Sequence, residues 1–281
     1  MSRTVYVNGE FLPEDQAKVS VFDRGFLFAD AVYEVTSVLD GKLIDFDGHE
    51  RRLARSLGEL DMAAPEGDLL AIHRELVARN EITEGLVYLQ VTRGVADRDF
   101  AYPKDTPSTL VMFTQAKGLI DSPAAQTGIK VIAIDDLRWG RRDIKTVQLL
   151  YPSMGKMMAK AAGLDDAWMV EDGLVTEGTS NNAYIVKGGK IITRQLGNDI
   201  LAGITRAAIL KMAQEAQMVV EERAFSIAEA QAADEAFFTS ASAFVMPVVE
   251  VDGATVGNGK PGPVTRRLRE IYIDESRNVA I

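Results

Sequence analysis

Hydrophobic positions along this chain follow two periods, and the period changes often. Residues 4–7 and 10–12 flank Asn8-Gly9, two residues that tolerate positive φ, so they predict a hairpin. The valine-rich run 31–39 predicts a strand, which Asp40-Gly41 turns back into 42–44. Leu53, Leu57 and Leu60 then recur at helical spacing, as do Leu69, Ile72 and Leu76 within a second helix over 68–79. Val87, Leu89 and Val91 alternate with Tyr88, Gln90 and Thr92, which is strand period, and 109–113 reads as another strand.

Between Gln115 and Thr127 the Gly, Pro, Ser and Ala content breaks both periods. A boundary there divides the chain into a domain over 1–115, a linker over 116–127 and a second domain over 128–281. Beyond it, 130–134 predicts a strand and 152–162 a helix. Strands over 167–170, 183–186 and 190–193 are joined by turns at Asp172-Gly173 and Gly188-Gly189. A helix over 203–216, strands over 235–239 and 245–251, and a final helix over 264–274 complete the pattern. Strands and helices alternate, yet neighbouring strands are often joined by hairpins. The expected class is α/β of the mixed α+β kind in two domains, the smaller one N-terminal.

Composition narrows the chemistry. The chain has 281 residues and no cysteine, which excludes disulfides, thiolate nucleophiles and cysteine-ligated metal. Its two histidines, His49 and His73, make an all-histidine metal site improbable, so no metal is expected. His73 lies in a strongly helical stretch and reads as a surface or half-buried residue. The net charge of −10 disfavours a nucleic-acid partner. The N-terminus lacks the apolar run of a signal peptide, and no segment approaches the ~20 apolar residues of a membrane span. A cytoplasmic protein without membrane partners is expected.

Covalent chemistry then falls to lysine. Lys145 closes Arg141-Arg142-Asp143-Ile144-Lys145, a semi-apolar run. About thirty residues on comes Thr176-Glu177-Gly178-Thr179-Ser180-Asn181-Asn182, and after it Leu201-Ala202-Gly203-Ile204-Thr205-Arg206 opens a helix. Taken singly, these are a solvated lysine, a turn glutamate and an ordinary N-cap. Taken together they supply an amine, a carboxylate and an anion-binding helix terminus. Such parts suit an aldehyde cofactor with a phosphate and a basic ring nitrogen.

This order of motifs resembles the fold type IV pyridoxal 5'-phosphate enzymes, the class IV aminotransferases that include the D-amino-acid and branched-chain enzymes. The resemblance covers nearly the whole chain and is strongest over 141–206. It implies that Lys145 holds the cofactor and moves a proton at the substrate α-carbon. It implies that Glu177 keeps the ring nitrogen protonated and that Leu201 packs against the ring. Phosphate binding falls to Ile204, Thr205, Ser240, Ala241 and Arg52, the last within His49-Glu50-Arg51-Arg52-Leu53 with Arg51 beside it. Relatives often carry a second hydroxyl where this chain has Ala241.

Tyr33 and Arg98 match substrate-binding positions. Arg98 aligns with the arginine that captures the α-carboxylate of a D-amino acid from the partner subunit, which implies a homodimer. The chain departs from the D-amino-acid pattern at Phe100, where a histidine is usual. The expected activity is amino transfer from a D-amino acid to a 2-oxo acid. A branched-chain L-amino-acid aminotransferase, an (R)-selective amine transaminase and 4-amino-4-deoxychorismate lyase are alternatives on the same fold. A non-catalytic cofactor-binding or scaffold protein that kept the fold is the alternative from another functional class, and the intact Lys145 and Glu177 argue against that.

Overall fold

The computed structural model describes residues 2–281, which divide into two compact units. The first takes the chain up to Gly118, then Ile144–Gln148 and Arg277–Ile281; the second takes Leu119–Asp143 and Leu149–Ser276. Both mix strands and helices, the class that the periodicity predicts.

The first unit runs β1 (Thr4–Val7), β2 (Glu10–Pro13), α1 (Arg24–Phe28), β3 (Ala31–Leu39), β4 (Lys42–Leu43), α2 (Phe46–Glu59), α3 (Leu69–Arg79), β5 (Glu84–Thr92) and β6 (Thr109–Ala116). The described strands form one antiparallel sheet in the order β2-β1-β6-β5-β3-β4. Strand alternation sends Val32, Val87, Leu89 and Met112 to the face covered by Leu53 and Leu57 of α2 and Leu76 of α3. Fully burying each such leucine or valine stabilises the fold by about 1.5–3 kcal/mol. Tyr33, Tyr88 and Phe113 stack on the other face, with ring centroids 5.6 and 4.8 Å apart.

Residues 144–148, which the linear reading assigns to the second domain, belong to this unit, where Thr146 bridges Val32 at the edge of the sheet. The β4 strand pairs only with the far end of β3, so the near end has an open edge. The Tyr33 N–H donates to the Lys145 carbonyl at 3.0 Å, and the Val147 N–H donates to that of Ala31 at 3.2 Å. These bonds seat Lys145 beside Tyr33.

The second unit runs α4 (Pro123–Thr127), β7 (Ile129–Asp135), α5 (Leu150–Ala161), β8 (Asp166–Glu171), β9 (Leu174–Gly178), β10 (Asn182–Lys187), β11 (Lys190–Thr193), α6 (Ile204–Glu215), β12 (Val219–Glu222), α7 (Ile227–Gln231), β13 (Glu235–Ser240), β14 (Phe244–Val251), β15 (Ala254–Thr255) and α8 (Pro263–Val279). Its sheet has the order β12-β11-β10-β13-β14-β7-β8-β9 among the described residues, with β15 on β14. Pairing is parallel where β7 meets β8 and β14 and where β11 meets β12, and antiparallel elsewhere. The core gathers Trp168, Phe225, Phe238 and Met246.

Three local expectations are corrected. Asp172-Gly173 does not join 167–170 to 183–186; it joins β8 to β9, a strand whose last four residues are all buried and so show no alternation. The expected linker contains α4, which Pro123 can open because a first-turn N–H needs no helix partner. His73 is not a surface or half-buried residue but is 2% exposed, donates Nδ1–H to the Leu69 carbonyl at 2.7 Å, and meets Phe46 edge-on. Burial holds its imidazole down at about 4.

Candidate active site

The candidate residues form two groups, one on each unit. In the first unit Lys145 is half-buried, and its Nζ lies 4.1 Å from the centre of the Tyr33 ring. Its backbone N–H donates to Ser56 Oγ at 3.4 Å, which ties the lysine segment to α2. Arg52 lies one turn earlier on that helix, and the structure gives it a second engagement that the sequence does not announce. Its Nε and Nη2 both donate to Glu34 at 2.7 Å, and His49 Nδ1 donates to the same carboxylate at 2.7 Å.

Glu34 is the residue that sequence reading missed here. The signal was an acidic residue within a valine-rich strand, because a buried carboxylate needs partners. Burial pushes the Glu34 carboxyl up, but Arg52 and His49 outweigh it and hold the group down at about 2. His49 itself is pushed down by burial, against the pull of Glu34.

Arg98 stands apart from these residues on an exposed loop. Its guanidinium lies over Phe28 at 5.3 Å and over Phe100 at 5.6 Å, and those two rings meet edge-on at 5.6 Å. Phe100 is 79% exposed. The loop is tied down on either side. Arg24 donates to the Asp99 carbonyl at 2.7 Å, Arg93 lies over Tyr102 at 3.8 Å, and both arginines pair with Asp30.

In the second unit the β9 strand carries Glu177, which is 4% exposed. Its Oε1 accepts from Arg138 Nη1 at 2.6 Å, while Oε2 accepts from Asn182 Nδ2 at 3.0 Å and from the Leu201 N–H at 3.1 Å. Burial raises this carboxyl above the ordinary carboxylate range, and Arg138 opposes the push without reversing it. Asn182 also donates to the Leu201 carbonyl at 2.9 Å, so one amide fixes Glu177 and Leu201 together.

Two residues later Gly203 stands at the N-cap of α6, with Ile204 and Thr205 in the first turn. A Cβ on Gly203 would lie 2.1 Å from Asn182 Oδ1, so this approach requires glycine. The α6 terminus has neither a side-chain cap nor an acidic residue in its first turn. Its N–H groups and dipole suit an anion, and Thr205 brings a hydroxyl. Pairing of Asn182 with Thr239 sets Ser240 and the Ala241 turn at the end of the neighbouring strand β13.

The donor set in this unit therefore fits a phosphorylated aromatic ligand with a basic nitrogen. It holds a buried carboxylate, an open helix terminus and a half-buried leucine. Sequence reading found Glu177, Leu201, Ile204, Thr205, Ser240 and Ala241 but missed Arg138 and Asp136, which lie ahead of the recognisable motif. Among the described residues no cluster of histidine and acidic side chains could hold a metal ion, and no helix is long and apolar enough to cross a membrane.

Comparison with known proteins agrees with this geometry. The family model for amino-transferase class IV matches residues 31–251. A D-alanine aminotransferase of Staphylococcus aureus is 38% identical over 271 residues, covering 95% of each chain. That of Bacillus licheniformis is 39% identical over 269 residues, covering 94% of each. Among solved structures, the Escherichia coli branched-chain amino acid aminotransferase superposes with a TM-score of 0.91 at 23% identity, over 98% of this chain and 95% of that one. A T.th. branched-chain amino acid aminotransferase, solved with pyridoxamine 5'-phosphate, gives 0.89 at 24% identity, over 99% and 95%. The fold is thus that of the type IV aminotransferases. Because the match runs through both units and through the strand, turn and helix that carry Glu177 and Thr205, this chain belongs to the class IV aminotransferase family.

Proposed function

We propose that this protein is a pyridoxal 5'-phosphate-dependent D-amino-acid aminotransferase, which moves the amino group of a D-amino acid to a 2-oxo acid. The observation that carries the reading is the buried Glu177 carboxylate hydrogen-bonded to Leu201, two residues before the open N-terminus of α6. When bound, the cofactor supplies an aldehyde for the amino group and a ring that accepts the electrons released at the substrate α-carbon.

In this reading Lys145 holds the aldehyde through Nζ and carries the proton to and from the α-carbon. The face of Tyr33 positions that amine. Glu177 holds a proton on the ring nitrogen, and Leu201 packs against the ring. The Ile204 and Thr205 N–H groups, the Thr205 hydroxyl, Ser240 and the Ala241 backbone bind phosphate. The family resemblance assigns Arg52, anchored to Glu34, to phosphate as well. Arg98 takes the substrate α-carboxylate, for which a guanidinium fork is well matched.

A homodimer is part of this reading. Leu150, Met154, Met157 and Met158 form an exposed apolar stripe along α5, the kind of surface that a second copy covers. A cytoplasmic location is part of this reading.

The relatives named D-alanine aminotransferases, alike over nearly the full length, support the D-amino-acid assignment. The branched-chain structures carry the fold but not the substrate. A spectral half-reaction with D-alanine, L-leucine, L-valine and a carboxylate-free (R)-amine tests this. A yellow holoenzyme should bleach fastest with the D-amino acid. Preference for L-leucine or L-valine would overturn the stereochemistry. A colourless protein, or cofactor that borohydride does not fix on Lys145, would overturn the enzyme assignment.

A further inference from the structure

A ladder of charged side chains runs from the solvent to Glu177 in the second unit. At its outer end Glu171, whose side chain is 41% exposed, receives both Nη groups of Arg142 at 2.7 and 2.9 Å. Arg142 Nη1 also lies 3.5 Å from Asp136 Oδ2. Asp136 is buried and receives a fork from Arg138, with Nε at 2.9 Å on Oδ1 and Nη2 at 2.6 Å on Oδ2. The Thr176 hydroxyl donates to Asp136 Oδ2 at 2.6 Å as well. The remaining edge of Arg138 meets Glu177 through Nη1 at 2.6 Å.

We propose that Arg138, oriented by Asp136, is the positioning residue that keeps Glu177 ionised in its buried site, so that the carboxylate can hold a proton on the cofactor's ring nitrogen. This rests on the assignment of Glu177 to that nitrogen.

The geometry supports the role in two ways. First, Glu177 accepts from Arg138, from Asn182 and from the Leu201 N–H, and the last two donors are neutral. Arg138 brings the positive charge, and an ionised carboxylate taken from water needs such a partner. Burial drives Glu177 toward its neutral form, and a protonated glutamic acid has no charge with which to retain a proton on a neighbouring nitrogen. Second, the Arg138 fork is already bound by Asp136 through Nε and Nη2. That attachment fixes the direction of Nη1 and aims it at Glu177. Burial lowers the proton affinity of the guanidinium, but Asp136 and Glu177 outweigh it and raise that affinity, so Arg138 stays charged. Arg138 with Asp136 and Glu177 carries one net negative charge when all three are ionised, and Arg142 is matched by Glu171. Arg138 therefore stabilises the Glu177 carboxylate without cancelling its field.

The test loads holoenzyme with pyridoxal phosphate labelled with 15N in the ring and reads the nitrogen shift at neutral pH. Wild type should give the protonated shift. Arg138→Met should move it to the unprotonated position and slow transamination roughly 100-fold, while borohydride still fixes the cofactor on Lys145. Arg138→Lys should recover part of the protonated signal, because it restores charge without the fork. A protonated shift retained in Arg138→Met, with the cofactor on Lys145, overturns this inference alone. Absence of cofactor on Lys145 in wild type overturns the proposed function instead. If Arg138→Met does not fold, infrared spectra of wild type against Glu177→Gln decide the matter. Glu177 should contribute carboxylate bands and no protonated-carboxyl band at neutral pH, and a protonated band lost in Glu177→Gln overturns the inference.

Discussion

At the scale of single residues, the proposed function assigns the choice of substrate to Arg98 and Phe100. Arg98 lies over two phenyl rings, Phe28 and Phe100, which favour its guanidinium by cation–π attraction, and Phe100 offers an apolar surface in place of a histidine donor to the substrate carboxylate. In Arg98→Ala, D-amino acids should bind more weakly by roughly 1.5–3 kcal/mol, the range for a charge-assisted hydrogen bond. A carboxylate-free (R)-amine never uses the fork and should be nearly unaffected, as KM values for the two substrate types would show. Equal losses for both would mean that Arg98 supports its loop rather than recognising substrate. The aromatic surface at Phe100 should also let wild type accept some bulky D-amino acids, and Phe100→His should shift the balance toward small ones.

Pairing between elements explains why α2 carries so many polar residues on its buried side. His49, Arg52 and Ser56 share that side with Leu53 and Leu57. The leucines were legible as a periodic stripe, but the polar residues have meaning only once β3 presents Glu34 to them. Arg52→Ala would leave that carboxylate buried against His49 but stripped of its guanidinium, at a cost of about 3–5 kcal/mol. The sign with pH follows from the depressed value. Glu34 contributes stability above the ordinary carboxylate range, and that contribution is lost as pH falls toward about 2. The Arg52→Ala deficit should therefore be largest near neutral pH and shrink in acid, as urea unfolding at several pH values would reveal. A deficit independent of pH would argue that Arg52 acts through packing alone.

For the molecule as a whole, the acid limb of stability should carry the mark of His73. The folded protein keeps its imidazole neutral down to about 4, whereas the unfolded chain takes up a proton near 6.5. Across that window the unfolded state binds more protons, so stability falls as pH drops, by about 3 kcal/mol in all. His73→Gln does not titrate and should flatten this part of the profile relative to wild type. His49, buried as well, remains in both proteins, and its charge bears on His73, so the difference reports His73 together with that coupling. An unchanged slope between pH 6.5 and 4 would show that His73 is solvated in solution.

What the sequence determined by itself was local and periodic. The hairpin at Asn8-Gly9, the strand over 31–39 and the helix that opens at Gly203 follow from turn chemistry and side-chain spacing, which act over a few residues. The string from Thr176 to Asn182 was legible as a site because its residues are contiguous. Only the tertiary structure decided what depends on distant segments. Lys145 joins the first unit because the near end of β3 has an open edge for it, a fact of strand order rather than of local propensity. The β9 strand escaped notice because burial of its last four residues removes the alternation that marks a strand. Glu34 with Arg52, and Asp136 with Arg138 and Glu177, are pairings of buried charges brought together by folding. Their energies depend on low dielectric and fixed geometry, and neither exists along an unfolded chain.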